Sequence, residues 1–556
     1  LGKALFWDMQ SGSDGVTACA TCHSTAGADN RWVNQINPGF NRVDGNGNPA
    51  ADSHTFQAPL GPNYRLSAAD FPLSSNNVVG SQGVYHYKFN DDILGQGTED
   101  ETSMPDSIFS IAGAIGSVNT RRVTPRNAPS VINAVFNYRN FWDGRAQNVF
   151  NGVNPFGTGD PNAFLLQVDA SAPNGISHAQ LRLTNSALAS QAVGPPGADV
   201  EMSATGRPFV KIGKKMLSLT PLANQDVAID DSVLGMLSAA PNHGLKRSYV
   251  DLVKAAFQPK WWNSNAVVDA SGNFLHTGTP QNTNEYSLME YNFSMFWGVA
   301  IQMYESTLVS NNSRFDQYME GRNTLTALEI RGMDRFTGKG GCANCHNGPE
   351  FTDAAVSNVA TRGVVEQMAD GRWHDVGFHN IGVRPTTDDL GVGAGDPSGL
   401  PSLSIAEMAS QGLVTGTAVP AGAAVSVRGA MKTPGLRNIE LTGPYFVNGG
   451  EATLSQVVDF YSRGGDFPSA DVDPALERAG FKPDDTAAVV AFLKSLTDER
   501  VRVQSAPFDH PSLTLGNGMA MVNGVMQEQT ITMPATGRSG GAAQPKFCQS
   551  IGASCD

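Results

Sequence analysis

Large apolar side chains recur at helical spacing in a few stretches of the chain, and between them lie long runs dense in Gly, Asn, Asp, Pro and Ser. The strongest pattern is 285–320, EYSLMEYNFSMFWGVAIQMYESTLVSNNSRFDQYME, whose apolar residues occupy much of the helical circumference and predict one long, mostly buried helix. Shorter helices are expected at 18–24, at 130–137 (SVINAVFN), at 178–192, and through DDSVLGMLSAA with the following LKRSYVDLVKAAF up to Trp261 and Trp262. Three more are expected at 325–336, 454–462 and 486–496. The roughly one hundred residues after position 24 read as loop. Strand-like alternation is scarce, so the expected fold class is mainly α with long loops and insertions. The Gly/Asn/Thr-rich stretch 265–284 marks a domain boundary.

At roughly 100–200 residues per domain, 556 residues make two to four domains, with ample chain to bury a core. A charged fraction of 16% and 60 glycines fit long irregular connections, and exclude collagen, low complexity and wholesale disorder. The net charge of −14 repels phosphate backbones, so nucleic acid is excluded as a partner and a basic protein fits better. No run of 18 or more apolar residues occurs, so no membrane-spanning helix is expected. The sequence opens at Leu1 without Met or an apolar leader, which reads as a processed or trimmed product whose export signal is out of view.

Four of the six cysteines fall in two Cys-x-x-Cys-His motifs, Cys19-Ala20-Thr21-Cys22-His23 and Cys342-Ala343-Asn344-Cys345-His346. This is the c-type haem attachment pattern: two thiols add to the porphyrin vinyl groups and the adjacent imidazole is held under the iron. A zinc knuckle would want two further thiolates or imidazoles close by, and a thioredoxin-like site a βαβ frame; neither is visible. Two covalent haem c groups are therefore expected, in two cytochrome c-like lobes: an N-terminal domain 1–280, a C-terminal domain 281–510, and a tail 511–556. Cys548 and Cys555, with six residues between them, allow a small disulfide loop in an oxidising compartment, with two free thiols as the alternative. Both features point to a periplasmic or extracellular protein.

Five blocks of sequence, in order, resemble the bacterial dihaem cytochrome c peroxidases and their MauG relatives. They are LGKALFWD ahead of CATCH, RNAPSVINAVFNYRNFWDGRA (126–146), QAVGPPGADVEM (191–202), FTGKGGCANCHNGPEFTD (336–353) and KTPGLRNIELTGPYFVNGGEATLSQVVDFY (432–461). The resemblance implies roles. The N-terminal lobe is the peroxidatic one, interrupted by an insertion at 147–186, and the C-terminal lobe transfers electrons. Trp142 falls on the tryptophan between the haems that relays electrons. Gln191, Pro195 and Glu201 keep the family's spacing in the distal pocket of the first haem, where Glu201 is the acid–base group. Asp160 is the weaker candidate if that alignment fails. For the sixth ligand of the second haem the resemblance offers Tyr461, which aligns with methionine in the peroxidases and tyrosine in MauG. The rival is His510, by analogy with the bis-His haem of the rubber-cleaving dihaem oxygenases, and Met431 comes third. Val447 stands where the family usually has histidine. Asn127, Thr442 and Pro444 match the family's Ca²⁺ ligands. His54 and His86 read as loop histidines, while His374 and His379 fall near the second haem with no assigned role.

The implied activity is reduction of hydrogen peroxide at the first haem, with electrons relayed from the second, which a small cytochrome c or cupredoxin, basic to suit the acidic surface, refills. The rivals are MauG-like oxidation of a protein or organic substrate, a rubber-oxygenase-like dioxygenase, and a non-enzymatic electron carrier. Homodimers occur in the family.

Overall fold

The computed structural model describes residues 1–40, 53–73, 75–114, 116–397, 399–476 and 478–556. Two apolar cores organise these residues, and each is built by the same device. In the first, the short helix Gly2–Trp7 lies across the helix Phe293–Glu305. A Cβ on Gly2 would stand 1.8 Å from the Ala300 carbonyl oxygen, so only glycine permits the approach, and Phe6, four residues on, fills the core below. In the second core the helix Ala327–Thr337 crosses Pro483–Lys494, a Cβ on Gly332 would stand 1.9 Å from the Ala488 carbonyl oxygen, and Phe336 again follows by four. A Cys-x-x-Cys-His motif comes next in each case. A third apolar cluster forms around Ile405–Ser410.

Local chemistry sets the helix boundaries. Ser313 with Asp316, Thr326 with Glu329, and Thr453 with Gln456 form reciprocal capping boxes at three N-termini. Each such cap is worth about 1 kcal/mol. Pro483 opens its helix with Asp484 and Asp485 in the first turn and Lys494 in the last, matching the helix dipole.

The long helix expected over 285–320 is three: Leu288–Tyr291, Phe293–Glu305 and Arg314–Met319. Asn292 breaks it, because its side chain is committed elsewhere, donating to the carbonyls of Leu166 (2.7 Å) and Trp261 (2.8 Å). Ser313 then starts a fresh helix. At 130–137 only the turn Ala134–Phe136 forms, since Asn133 sits at φ 61°. The segment 178–192 is the end of a hairpin, Leu165–Val168 with Ile176–Ala179, followed by the helix Ala187–Ala192. In DDSVLGMLSAA only the turn Gly235–Leu237 forms, whereas Tyr249–Ala256 is helical as expected. The expected loop after position 24 carries two hairpins, Tyr87–Asp91 with Asp100–Ser103 and Ser110–Ala112 with Ser117–Asn119; its residues 41–52 lie outside the described residues. Helices thus carry the two main cores, but small antiparallel sheets, one of three strands and the others of two among the described residues, occupy much of the remainder.

Packing also cuts across the expected divisions. Phe293, Phe296, Trp297 and Tyr304, beyond the 280/281 boundary, belong to the first core. The tail is no appendage: the hairpin Leu513–Val522 with Val525–Met533 inserts Leu513, Leu515 and Met533 into that core, and Glu528 pairs with Arg121. Cys548 and Cys555 form a disulfide, and the Asp556 carboxylate accepts from the Ser455 amide (2.9 Å) at the start of the helix Leu454–Arg463. No helix among the described residues is long and apolar enough to cross a membrane.

Two candidate haem sites

The second motif opens onto a deep, largely apolar cavity. Gly341, at φ 61°, turns the chain out of the helix Ala327–Thr337, and the His346 amide donates to the Cys342 carbonyl (2.8 Å), so both thiols and the imidazole line one wall. Tyr461 and Val458 of the helix Leu454–Arg463, with Met431, Lys432, Val447, Leu493 and Trp142, complete the lining. His346 Nδ1 bonds the Phe351 carbonyl (3.0 Å), which orients the ring and leaves Nε2 for a metal. Burial pushes the Tyr461 phenol up, and the neighbouring Cys342 and Cys345 add to the shift.

His379 also lines this cavity, held between Asp473 (Nδ1, 2.5 Å) and Asp353 (Nε2, 2.8 Å). Burial works to lower its pKa, but Cys345 and the two carboxylates outweigh burial and hold it well above the ordinary histidine value. His374 lies alongside, bonded to Glu366 (3.1 Å). Ligand atoms of Cys345, Asp353 and His379 lie within 4.8 Å of one another, yet that sulfur is the one the attachment motif commits to a thioether.

His510 is not at this cavity. Its ring stacks on Trp7 in the first core, with centroids 4.6 Å apart, and its Nδ1 bonds the Pro511 carbonyl (2.8 Å). The sequence expectation that it competes with Tyr461 is therefore corrected: the tail folds back onto the first core and carries His510 with it.

At the first motif the helix Cys19–His23 presents both thiols and the imidazole. His23 Nδ1 bonds the Gly27 carbonyl (2.9 Å), the same arrangement as His346, and again Nε2 is left over. Burial lowers the His23 pKa, keeping the ring neutral as a ligand must be. Cys19 Sγ lies 4.0 Å from Met202 Sδ, and Cys22 Sγ 3.8 Å from Arg31 Nη2. Burial pushes the Cys22 thiol up to about 12 and the Cys19 thiol higher still.

Gln191 sits in the last turn of the helix Ala187–Ala192, and Pro195 opens the turn Pro195–Gly197. Ala198 then accepts the amides of Glu201, Met202 and Ser203, a tight reversal that brings Glu201 beside the first motif, where its charge acts on both Cys19 and Cys22. Burial raises the Glu201 pKa and Arg145 opposes it. Asp160 instead serves its own loop, accepting from Asn154 (2.6 Å) and the Asn162 amide.

A second carboxyl, Glu305, was not foreseen. It ends the helix Phe293–Glu305, acts on Cys19, and is pushed by burial to about 8. The available signal was a single acid closing an otherwise apolar helical run.

Trp142 lines the second cavity. Its Nε1 donates to the Asn127 carbonyl (2.8 Å), and its own carbonyl accepts from the Lys432 amide (2.7 Å). The adjacent Asp143 binds Arg126 (2.5 Å) and Arg145 (2.9 Å), and Arg126 reaches Asp389 (2.7 Å). Asn127 and Pro444 meet beside Trp142. Asn127 Nδ2 donates straight to the Pro444 carbonyl (2.6 Å) and Thr442 Oγ1 contacts the Ile439 carbonyl (3.4 Å). His54 and His86 bond the carbonyls of Gly39 (2.6 Å) and Pro105 (3.0 Å) in their own loops.

Two thiol pairs free of disulfides, each beside an imidazole with one nitrogen tied to a carbonyl and the other left over, fit c-type haem, and this defines the class: a chain with two c-type haem attachment motifs. Comparison with known proteins agrees. Residues 101–324 match the family described as di-haem cytochrome c peroxidase. Cytochrome-c peroxidase IdrP2 of Denitromonas iodatirespirans is 33% identical over 201 residues, 36% of this chain and 48% of that protein. The methylamine utilization protein MauG of Methylorubrum extorquens is 30% identical over 168 residues, 30% of this chain and 34% of that protein. The diheme peroxidase BthA from Burkholderia thailandensis E264 is similar at 18% identity and a TM-score of 0.44, over 91% of this chain and 87% of that one. Over these stretches the chain is similar to the dihaem cytochrome c peroxidases and MauG. Its matches span about half the length, or less, of these curated relatives.

Proposed function

We propose that this protein reduces hydrogen peroxide at the Cys19–His23 site, with electrons passed from the Cys342–His346 site across Trp142. The observation that carries the reading is Glu201: a half-buried carboxyl with a raised pKa beside the first motif, following the turns that Gln191 and Pro195 belong to. Haem bound at the two motifs supplies the redox chemistry. The side chains do the rest. Turning one peroxide into two waters takes two electrons and two protons. Glu201 takes the proton from the entering oxygen and returns it to the leaving one, and burial brings its pKa toward the working range. Gln191 and Pro195 shape the pocket around the bound oxidant. His23 and His346 would hold the haem irons through Nε2, and Tyr461 would offer the second haem a phenolate, which favours the oxidised state. Trp142 places an indole in the gap that charge must cross.

The donor is a small cytochrome c or cupredoxin with a basic docking face, matched to the net charge of −14. The protein works outside the cytoplasm, where thioether-bound haem and the Cys548–Cys555 disulfide persist. One observation favours a MauG-like second reading, in which a large organic or protein substrate replaces the small donor: Tyr461 lines the second cavity and His510 does not. The same observation removes the support that His510 lent to an oxygenase.

Steady-state oxidation of a reduced small cytochrome by hydrogen peroxide tests the proposal. Turnover that requires both peroxide and holoprotein supports it. A holoprotein inert to peroxide with every reduced donor tried overturns it.

A further inference from the structure

On the His23 side of the first site, the geometry points to Trp7 as a second internal electron donor, one that serves the site when the Trp142 route delivers one electron and has no second to give. This rests on the reading that peroxide is reduced at the first site.

His23, Trp7 and Tyr304 line one small cavity. The Phe6 ring joins them, its centroid 6.5 Å from His23, 6.0 Å from Trp7 and 5.4 Å from Tyr304. Trp7 Nε1 donates to Tyr304 Oη (2.9 Å), and the indole face stacks on His510 with 9° between the planes. Phenylalanine at both positions would fill this core without polar atoms to satisfy, so an indole and a phenol bonded to each other are more than packing.

Electron loss suits Trp7 better than Tyr304. An oxidised indole keeps its N–H proton as a radical cation, so the bond to Tyr304 survives the step. An oxidised phenol must shed its proton, and the group facing Tyr304 Oη is the indole N–H, a donor. Tyr304 is therefore the positioning residue. The surroundings favour positive charge on the indole. Burial pushes His510 down to about 4, so a neutral ring covers its face. Lys3, Asp231 and Asp509, all fully buried, form a cluster of one ammonium and two carboxylates, and both carboxylates act on Tyr304. In a poorly polarisable core this net negative charge is felt strongly.

The bookkeeping closes. Two electrons and two protons convert one hydrogen peroxide to two waters at the first site. When the second site supplies one electron, Trp7 supplies the other and becomes a radical cation with its proton retained on Nε1. The reduced donor protein later returns that electron.

Freeze-quench electron paramagnetic resonance of the holoprotein, mixed with excess peroxide and no donor, tests this. The expected result is an organic radical whose line narrows when tryptophan is ring-deuterated, a labelling that leaves the fold untouched. Trp7→Phe lowers the radical yield by about tenfold or more while both haem bands remain. Tyr304→Phe keeps the radical and alters its proton splitting. A radical insensitive to the label, a radical that persists in Trp7→Phe, or peroxide consumed with no radical would overturn the assignment. A wild-type protein that consumes no peroxide even with reduced donor sinks the underlying reading and this inference together. Consumption that proceeds with donor, with no radical formed in its absence, sinks Trp7 alone.

Discussion

Glu201 and Tyr461 carry the account at the scale of single residues, and both rest on burial. Burial stabilises the neutral form of Glu201, so its folded-state pKa lies above the ordinary carboxylate value, Arg145 notwithstanding. A base must be ionised to accept a proton. The acid limb of kcat/KM for peroxide is therefore expected to rise with pH through an inflection above that ordinary value. Stability runs in the opposite sense: the contribution of the raised pKa is present under acid conditions and is lost as pH rises through it. Glu201→Gln is expected to lose the limb and lower kcat/KM by about 10²–10⁴ with haem content intact, as steady-state assays across pH would record. At the second site, Tyr461→Met is expected to raise the reduction potential, because a thioether favours the reduced metal where a phenolate favours the oxidised one. Spectroelectrochemical titration reads this directly, and an unmoved potential would remove Tyr461 from the coordination sphere.

Individual residues also show where the sequence was informative. The attachment motifs were legible because covalent chemistry fixes their spacing, and the approach of Glu201 to the first of them because a ten-residue spacing survives within one block. His510 was misplaced for the opposite reason. Nothing local says which core a tail segment joins, and only the insertion of Leu513, Leu515 and Met533 carries it to the first. Glu305 was hidden because one acid in an apolar run has no pattern.

Elements repeat the lesson. Helices with caps and dipole-matched charges, such as Leu454–Arg463 and Pro483–Lys494, were read nearly in full from their own residues. The expected helix over 285–320 failed at Asn292, whose amide serves Leu166 and Trp261, partners far along the chain. The hairpins at 87–103 and 110–119 were missed because their strands are only three to five residues long and half-exposed, too short for a pattern to stand out. The two glycine crossings yield a prediction. Gly332→Ala forces a methyl group against the Ala488 carbonyl and separates two helices that wall the second site. It is expected to destabilise the protein by about 1–3 kcal/mol. The visible bands of the second haem should broaden while those of the first stay fixed. Thermal unfolding followed at both sets of bands checks this, and equal perturbation of both would contradict the separation into two cores.

For the whole molecule, the final fifty residues act as a strap. The chain leaves the first core at Met533, packs Phe547 edge-on against Phe71, closes the Cys548–Cys555 loop, and ends with Asp556 on the Ser455 amide of a second-site helix. Truncation after His510 strips Leu513, Leu515 and Met533 from the first core, each worth about 1.5–3 kcal/mol of burial. It is expected to lower the Tm of the first-site transition well before that of the second, as calorimetry of the holoprotein would resolve. The acidic net charge and the ion-pair network of Arg126, Asp143, Arg145 and Asp389 belong to the same scale. The first suits the basic donor proposed above, and the second anchors Asp143, the chain neighbour of Trp142. The central claim is the proposed relay across Trp142, and stopped-flow mixing of fully reduced holoprotein with one equivalent of hydrogen peroxide tests it most directly. Both haems should oxidise together in the wild type, and in Trp142→Phe the second should lag the first by about tenfold or more. Equal rates in the variant would contradict the relay.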